Sequence, residues 1–371
     1  MKRIGFIINS RFPEWRALSR GMRPHHLLTG WPDRSSPMHF MRFGWIGREV
    51  NRDRYSGMHY ELFRPWRRYD AVIFLKSMAL GCAEHAHRLQ KAGTKVVFEA
   101  NVDYYTESDA MLPARHLRPT PEQRHQAVTM TEGSSGVIAS SSHLAGICRK
   151  LNPRTFWIPD NIPGCFLPRL ENHFSRTGIH LPVWWSGMAD KVSDLLAAGE
   201  ALRAMGDKIR LHLVTGDLKS AMRRLDATTA ASLESLLSSV PHTVHRFRSI
   251  PHLLGLYASG GGVIVSPRYL DNPYNRSHTE WKITLGMGCG LPAIASPQES
   301  YLDVLERAED PSAVTICGSS EQWREALEGA LDRSRHVIAS KAARKTVETH
   351  YVSEVVARQH RQAVHTILEN R

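Results

Sequence analysis

The stretch that decides the fold runs from Asp271 to Ser296 and reads DNPYNRSHTEWKITLGMGCGLPAIAS. It begins with turn-forming residues, continues in a helical pattern and ends in a short apolar strand. A helix starting near Thr279 would direct free backbone N–H groups and its positive dipole end towards the preceding loop. Lys282 lies in its first turn. The stretch therefore predicts an anion site or, in the plainer interpretation, a helix stop and a surface lysine.

The same alternation continues on both sides of this stretch. Short apolar strands alternate with helical patterns from Ile4 to Ile158, and a second series runs from Val183 to Ile316. Such alternation is typical of parallel βαβ units. We therefore predict an α/β fold with two Rossmann-like domains that face a cleft. Ligands of such sheets bind at the carboxyl ends of the strands, so functional residues are expected directly after strands.

Length and cysteine content narrow the class of protein. A chain of 371 residues suits two domains better than one core. Its five cysteines are an odd number without metal-ligand spacing, so neither a disulfide framework nor a zinc site is predicted. No apolar run approaches the roughly 18–20 residues of a membrane-spanning helix. A cytoplasmic protein is the simplest expectation.

The net charge of +12 is unevenly distributed. Residues 11–68 hold 12 Arg, no Lys and 5 acids, which gives +7, and they include Trp15, Trp31, Trp45 and Trp66. A basic, Trp-rich surface suits anionic phospholipids, a pyrophosphate-bearing acceptor or nucleic acid. The alternative is a solvated Arg face with Trp in the core. The chain lacks helix-turn-helix, zinc and RNA-recognition motifs, so we expect no nucleic-acid partner.

The order of these motifs resembles the GT-B glycosyltransferases, in the large family of bacterial capsule and lipopolysaccharide transferases (group 1, or family 4-like). In that family a loop with Asn or Glu leads into a helix with a Lys, followed by Gly, any residue, Pro and an apolar strand. The matching positions here are Asn275, Lys282, Gly290, Pro292 and Ile294.

Further segments resemble the same family. Trp185-Ser186-Gly187 followed by Lys191 resembles the opening of its second domain, where a glycine loop and a lysine contact donor phosphates. Residues 19–23 resemble an element after the first strand, which would place Arg23 in the cleft. The segment at Tyr351 resembles the start of the terminal helix, which crosses back to the first domain.

The resemblance implies three regions. Residues 1–165 would form an acceptor domain, residues 166–348 a nucleotide-sugar donor domain, and residues 349–371 a helix packing back on the first domain. The donor-binding residues would be Ser186, Gly187, Lys191, Asn275, Lys282, Gly290 and Glu299.

Other positions depart from the family pattern. Many members carry two Glu residues, the second of which contacts the nucleotide ribose. The corresponding positions here are Ser277 and Leu285, and a Leu side chain cannot accept a hydrogen bond. Met188 replaces a common Arg. A non-catalytic, nucleotide-sugar-binding subunit therefore stays an alternative to the enzyme. A related 2-epimerase is a weaker one, because that class places more acids and histidines in the cleft.

Residues that bind or activate the acceptor are expected directly after strands of the first domain. Inverting transfer needs a base, and Asp103 is our candidate, with a turn-capping aspartate as the alternative. Lys76 and Ser77 are acceptor-binding candidates, although Ser77 could instead cap a helix. His143 is a further candidate and could equally pack or cap. Lys282 and Lys191 would neutralise the leaving diphosphate.

These features together predict a nucleotide-sugar-dependent glycosyltransferase acting in bacterial surface polysaccharide synthesis. The nucleotide-sugar would be a co-substrate, and neither a cofactor nor a metal ion is predicted. The acceptor would be a saccharide or lipid-linked saccharide. The expected location is cytoplasmic, with peripheral contact to the anionic inner face of the membrane.

Overall fold

The computed structural model of the chain describes residues 1–8, 39–78, 81–107, 119–170 and 180–369. The predicted acceptor residue Arg23 lies outside the described residues, as do Trp15 and Trp31. Every other residue that the sequence nominates for the site lies within them.

The first domain is built on a six-stranded parallel sheet with the strand order β2-β1-β3-β4-β5-β6. Its strands are β1 (Lys2–Ile8), β2 (Met58–Leu62), β3 (Ala71–Leu75), β4 (Lys95–Ala100), β5 (Gly136–Ala139) and β6 (Thr155–Trp157). A π-helical turn (His39–Trp45) leads into helix α1 (Ile46–Arg52), and α2 (Cys82–Lys91), α3 (Pro121–Gly133) and α4 (Ser142–Arg149) follow. The central strands are buried on both faces, as expected of a parallel sheet.

The second domain repeats this plan with the strand order β12-β11-β10-β7-β8-β9, again all parallel. Its strands are β7 (Leu181–Ser186), β8 (Ile209–Thr215), β9 (His242–Arg246), β10 (Val263–Ser266), β11 (Ala293–Ala295) and β12 (Val314–Ile316). Its helices are α5 (Gly199–Met205), α6 (Leu218–Met222), α7 (Ala227–Ser239), α8 (Ile250–Gly260), α9 (Pro273–Arg276), α10 (Trp281–Gly288), α11 (Glu299–Arg307), α12 (Ser320–Gly329) and α13 (Arg333–His350). Short 3-10 segments include Ala189–Ala198 after β7. The predicted α/β class with two Rossmann-like domains is confirmed.

Each sheet has a hydrophobic core on both of its faces. In the first domain, one face packs against α1 and the C-terminal helix α14 (Ser353–Glu369), which buries Val356, Val364 and Ile367. A separate helix, α13, precedes it and ends at His350. The break lies at Tyr351 and Val352, where Val352 forms a parallel bridge with Ile162 between the two domains.

The linker between the domains is fixed by a buried arginine. Arg42 is fully buried and donates to the carbonyl oxygens of Ile158 and Pro159 at 2.9 and 2.8 Å. It also pairs with Asp160 of the linker and with Glu99 at the end of β4. One side chain thereby ties the linker to the first sheet.

Candidate functional site

The loops after the strands of the two sheets meet at one place. The backbone N–H of Asp103, beyond β4, donates to the Ser277 hydroxyl at 3.0 Å. The Ser141 hydroxyl, beyond β5, donates to the Ser277 carbonyl oxygen at 3.0 Å. Ser277 belongs to the segment between β10 and β11. The carboxyl ends of both sheets therefore border one cleft, as the doubly wound topology predicts.

Three cationic side chains converge on the second-domain side of this cleft, and we call them the cation cluster: Lys191, Arg268 and Lys282. Lys191 lies in the 3-10 segment after β7, Arg268 follows β10, and Lys282 is the second residue of α10. Each comes directly after a strand or at the beginning of a helix. The topology of the sheet therefore brings residues far apart in sequence to one point.

The Lys282 ammonium is buried without a counterpart. Its Nζ atom has no hydrogen-bond partner within the part of the chain that the structure describes. It lies 4.9 Å from the centroid of the Trp185 ring, a cation–π contact. Burial, followed by the charge of Arg268, holds the pKa of Lys282 well below its usual value. An ammonium in such a place favours a bound anion.

Lys191 is also buried, and its neighbours are aromatic. Its Nζ lies 2.5 Å from Nε2 of His278 and 4.2 Å from the centroid of the Tyr274 ring. Burial lowers the pKa of Lys191 well below its usual value, and the charges of Arg268 and Lys282 lower it further. Burial and the surrounding cations likewise depress the pKa of His278, so its ring stays neutral.

Arg268 was not nominated by sequence reasoning. It is buried, and its Nη1 lies 3.2 Å from Asp194 and 3.4 Å from the Asn275 side-chain oxygen. Its Nε has no hydrogen-bond partner among the described residues. Its position could have identified it from the sequence, because it lies two residues beyond the carboxyl end of the central strand β10. An arginine there can present a planar donor face to a phosphate.

Of two further donor-site candidates, Asn275 supports this cluster and Gly290 lies away from it. The Asn275 amide donates to Asp194 at 3.4 Å and to the Tyr269 carbonyl oxygen at 2.9 Å, so it fixes the loop beside Arg268. Gly290, with a φ of 83°, forms the turn at the C-terminal end of α10. That turn leads into the first residue of β11, so it lies at the opposite sheet edge from the cation cluster.

The predicted glycine loop passes close to Lys282. A Cβ atom on Gly187 would lie 2.8 Å from the Lys282 Nζ and 3.1 Å from the Trp185 ring, so no larger residue fits without displacing them. The Gly187 N–H donates to the Val214 carbonyl oxygen at 3.2 Å, so it does not point freely into the cleft. Ser186, the last residue of β7, is buried next to it.

On the first-domain side, Asp103 combines two roles that the sequence left open. Its Oδ1 accepts from the N–H groups of Tyr105 and Thr106 at 2.8 and 2.9 Å, which is the capping geometry. Its Oδ2 is buried and has no hydrogen-bond partner among the described residues. One carboxylate oxygen therefore fixes the turn, while the other is left for a different contact.

Lys76 and Ser77 differ in their surroundings. Lys76 has a φ of 50°, a left-handed conformation that non-glycine residues seldom adopt. Burial lowers its pKa, and its charge contributes to the low pKa of His278. Ser77 is buried, and its hydroxyl donates to the carbonyl oxygens of Ile7 and Leu75. Helix α2 begins at Cys82 after an uncapped Gly81, so Ser77 is not its N-cap.

His143 and Glu299 face each other across the cleft. His143 Nδ1 lies 3.4 Å from Glu299 Oε1. The same carboxylate accepts from the Arg276 Nε at 2.8 Å. These two candidates thus form a domain-to-domain contact at the start of α4 and α11.

No group of three or more His, Cys, Asp or Glu side chains that could hold a metal ion occurs in the described ranges. Within the same residues, no helix combines the length and the apolar character needed to cross a membrane.

The architecture identifies a class of fold. Two facing Rossmann-like domains, with a C-terminal helix that returns to the first domain, form the GT-B fold of glycosyltransferases. No protein-family model matches the chain, and neither does any curated protein sequence.

Solved structures with this fold include three well-described proteins. HepE of Anabaena, solved with UDP and glucose, is 13% identical with a TM-score of 0.65, over 99% of this chain and 100% of that chain. Sucrose-phosphate synthase of Thermosynechococcus elongatus is 14% identical with a TM-score of 0.58, over 91% and 80% of the two chains. TarM of S. aureus is 10% identical with a TM-score of 0.57, over 81% and 55%. At these low sequence identities, the structural similarity establishes the fold alone.

Proposed function

We propose that this protein is a nucleotide-sugar-dependent glycosyltransferase whose cation cluster binds the diphosphate of the donor. The observation that carries the proposal is the Lys282 amino group, buried without a partner among the described residues and close to Lys191 and Arg268. A polyanion would offset the cost of burying this charge. The structural neighbour HepE was solved with UDP-glucose, a ligand of this chemical kind.

The reaction requires a bond from the acceptor oxygen to the anomeric carbon, while the bond from that carbon to the diphosphate breaks. The diphosphate leaves with the electron pair, and the cation cluster stabilises the developing negative charge. In an inverting reaction, the free Oδ2 of Asp103 would take the acceptor proton. Closure of the two domains would exclude water and limit hydrolysis of the donor.

We further propose that charge neutralisation by side chains makes a metal ion unnecessary. Transfer activity should therefore be unchanged after treatment with a chelator such as EDTA. A loss of activity that added Mg²⁺ or Mn²⁺ restores would contradict this part of the proposal.

The acceptor in this proposal is a saccharide or lipid-linked saccharide of a bacterial surface polysaccharide. It would bind on the first domain, near Lys76 and Asp103. A lipid-linked acceptor lies at the membrane, so peripheral contact with an anionic membrane surface is part of the same proposal.

A non-catalytic nucleotide-sugar-binding subunit is the second candidate function, and one observation favours it. Leu285, at the position of the family's ribose-binding Glu, is buried in the core of the second domain. Ser277, at the other Glu position, has its hydroxyl bonded to the Asp103 N–H. Neither position presents a carboxylate to a donor.

A thermal-shift panel followed by a transfer assay tests these candidates. The panel would use UDP, GDP, CMP, ADP and dTDP with their common sugars, and one nucleotide should stabilise the protein by RT ln(1 + [L]/Kd). Release of free nucleotide in the presence of acceptor saccharides supports the enzyme. Stabilisation without transfer or hydrolysis supports the binding subunit, and no stabilisation by any nucleotide contradicts both.

A further inference from the structure

A tight turn in the first domain presents a tryptophan to solvent. The connection from β2 to β3 contains Arg64-Pro65-Trp66-Arg67-Arg68, which we call the Arg-Trp turn. The Arg67 N–H donates to the Arg64 carbonyl oxygen at 3.0 Å, which closes a β-turn with proline at its second position. Trp66 stands at the third position, and 70% of its surface is exposed.

The base of this turn is held rigidly. The Arg64 N–H donates to the hydroxyl of the buried Tyr69 at 2.9 Å. The Tyr69 ring packs directly over Gly5 of β1, where a Cβ atom would lie 2.9 Å from it. Phe63 packs against the same ring, with a centroid distance of 5.3 Å. Trp66 is therefore displayed on a fixed support, without the entropy cost of ordering a loose loop.

The surroundings of Trp66 are strongly basic. Arg68 is exposed, and Arg64 is half-buried. Arg67 pairs with Glu61 at 2.6 Å, and Arg3 lies 3.6 Å from the same carboxylate. Arg67 and Arg3 therefore share one glutamate, and the exposed Arg68 adds a further positive charge. Beside them, Lys2 and Asp70 form a salt bridge, so their charges cancel.

We infer that the Arg-Trp turn binds the surface of an anionic phospholipid membrane. An indole at the tip of a convex turn suits the boundary between headgroups and acyl chains, and neighbouring arginines suit lipid phosphates. Single-stranded nucleic acid instead calls for a groove with successive aromatic side chains, whereas this turn is convex and carries one. The other Trp of the basic stretch that the structure describes, Trp45, packs against Phe166.

This inference rests on the proposed function, in which the acceptor is lipid-linked, and it names the surface that would contact the membrane. The turn lies in the segment that returns from the carboxyl end of β2 to the amino end of β3, where Arg67 and Arg3, the second residue of β1, lie close to Glu61. Docking through it would hold the first domain, the proposed acceptor domain, at the membrane that carries a lipid-linked acceptor. Vesicle binding needs no sugar donor, and transfer to a soluble acceptor needs no vesicle, so either property can fail without the other.

The test is co-sedimentation of the full-length protein with vesicles of phosphatidylcholine alone or with about one third phosphatidylglycerol. We expect binding to the anionic vesicles only, weakening as salt rises. Trp66→Ser should reduce the partition coefficient several-fold. Arg67→Gln/Arg68→Gln should reduce it by about fivefold per arginine.

A matched control removes two arginine charges from a different surface of the protein. Arg333→Gln/Arg335→Gln lies at the exposed start of α13 in the second domain and should bind vesicles like the wild type. All variants should keep the wild-type melting temperature, which excludes misfolding. Failure of the wild type to bind anionic vesicles would overturn the inference. So would retention by single-stranded DNA alone, or equal losses in the control and the turn variants.

Discussion

At the scale of the single residue, the burial of the Lys282 side chain is unfavourable for the stability of the unliganded protein. A buried amino group without a hydrogen-bond partner destabilises the unliganded protein, charged or uncharged, because its hydration is not replaced. The aromatic face of Trp185 and the distant Asp194 offset only part of that cost. A residue that weakens the fold in this way is typical of a site arranged for a ligand rather than for stability.

The variant Lys282→Met therefore has two opposite expected effects. The melting temperature of the unliganded protein should stay the same or rise, because a buried polar group without a partner is replaced by a similar apolar volume. Affinity for the nucleotide diphosphate should fall roughly tenfold to a hundredfold, the value of one or two charge-assisted contacts. Lys219→Met, an exposed lysine of the same domain, is the control. Unchanged nucleotide affinity in Lys282→Met would remove this residue from the site.

Asp103→Asn separates the capping role from the chemical one. The amide oxygen of Asn can still accept from the Tyr105 and Thr106 N–H groups, so stability should change by less than about 1 kcal/mol. Loss of the base should lower turnover by about a hundredfold or more, with nucleotide binding preserved. Steady-state kinetics and calorimetry measure the two effects. Wild-type turnover in the variant would leave Asp103 with the capping role alone.

At the scale of elements, both domains hold the linker between them. Arg42 donates to it from the first domain. From the second domain, Thr279 donates to Asp160 Oδ2 at 2.7 Å, and Glu280 Oε1 accepts from the Asp160 N–H at 3.0 Å. Trp281 donates to the Asn161 carbonyl oxygen. The beginning of α10 therefore serves both the linker and the cation cluster, and it couples domain position to the ligand site.

The pH dependence of stability should report on this linker. Burial and the Asp160 charge raise the pKa of Glu280 to about 8. An unfolded Glu ionises near pH 4.3, so the folded state holds an extra proton between these values. Its stabilising contribution is complete below about pH 4 and is lost as the pH rises towards about 8.

Glu280→Gln should remove this loss, because the amide stays neutral and can still accept from the Asp160 N–H. We expect its free energy of unfolding, relative to wild type, to increase by roughly 1–3 kcal/mol between pH 5 and pH 8. Urea unfolding across that range measures the difference, with the exposed Glu234→Gln as the control. If the free energies of unfolding of wild type and Glu280→Gln changed with pH in parallel, Glu280 would be ionised in the folded protein.

Element positions could be predicted from the sequence where periodicity is clear, and side-chain partners could not. The continuous apolar runs Ala71–Leu75 and Gly136–Ala139 predict buried strands, and the structure has β3 and β5 there. The edge strand β2 has no such run, because His59 and Glu61 interrupt its apolar pattern. Lys191 and Lys282 were nominated through motif order. Arg42 and Arg268 were not, because their partners lie 57 and 74 residues away in sequence and only folding brings them together.

At the scale of the whole molecule, the two domains touch across the cleft. His143 contacts Glu299, Ser142 contacts Asp303, and Ser141 contacts Ser277. These three contacts are polar, and a partly exposed ion pair contributes little free energy. The closed arrangement is therefore expected to be in equilibrium with an open one that admits substrates.

Ser142→Ala/His143→Ala should shift this equilibrium towards the open state. Loss of about 1 kcal/mol changes the ratio of closed to open molecules about fivefold. Small-angle scattering of the unliganded variant should give a larger radius of gyration than wild type, and saturating nucleotide-sugar should reduce the difference. Identical radii without ligand would mean that these contacts do not determine closure.

Proton uptake on nucleotide binding is the most direct test of an anion site made from Lys191, Arg268 and Lys282. Burial depresses the pKa of both lysines, and a diphosphate beside them should raise it again. The measurement is calorimetric titration with the nucleotide diphosphate that stabilises the protein most. It is performed near pH 8, where that ligand is already ionised, in buffers of different ionisation enthalpy. We predict net proton uptake that decreases in Lys282→Met, together with much weaker binding of the nucleoside alone. Equal affinity for nucleoside and diphosphate, without proton uptake, would contradict it.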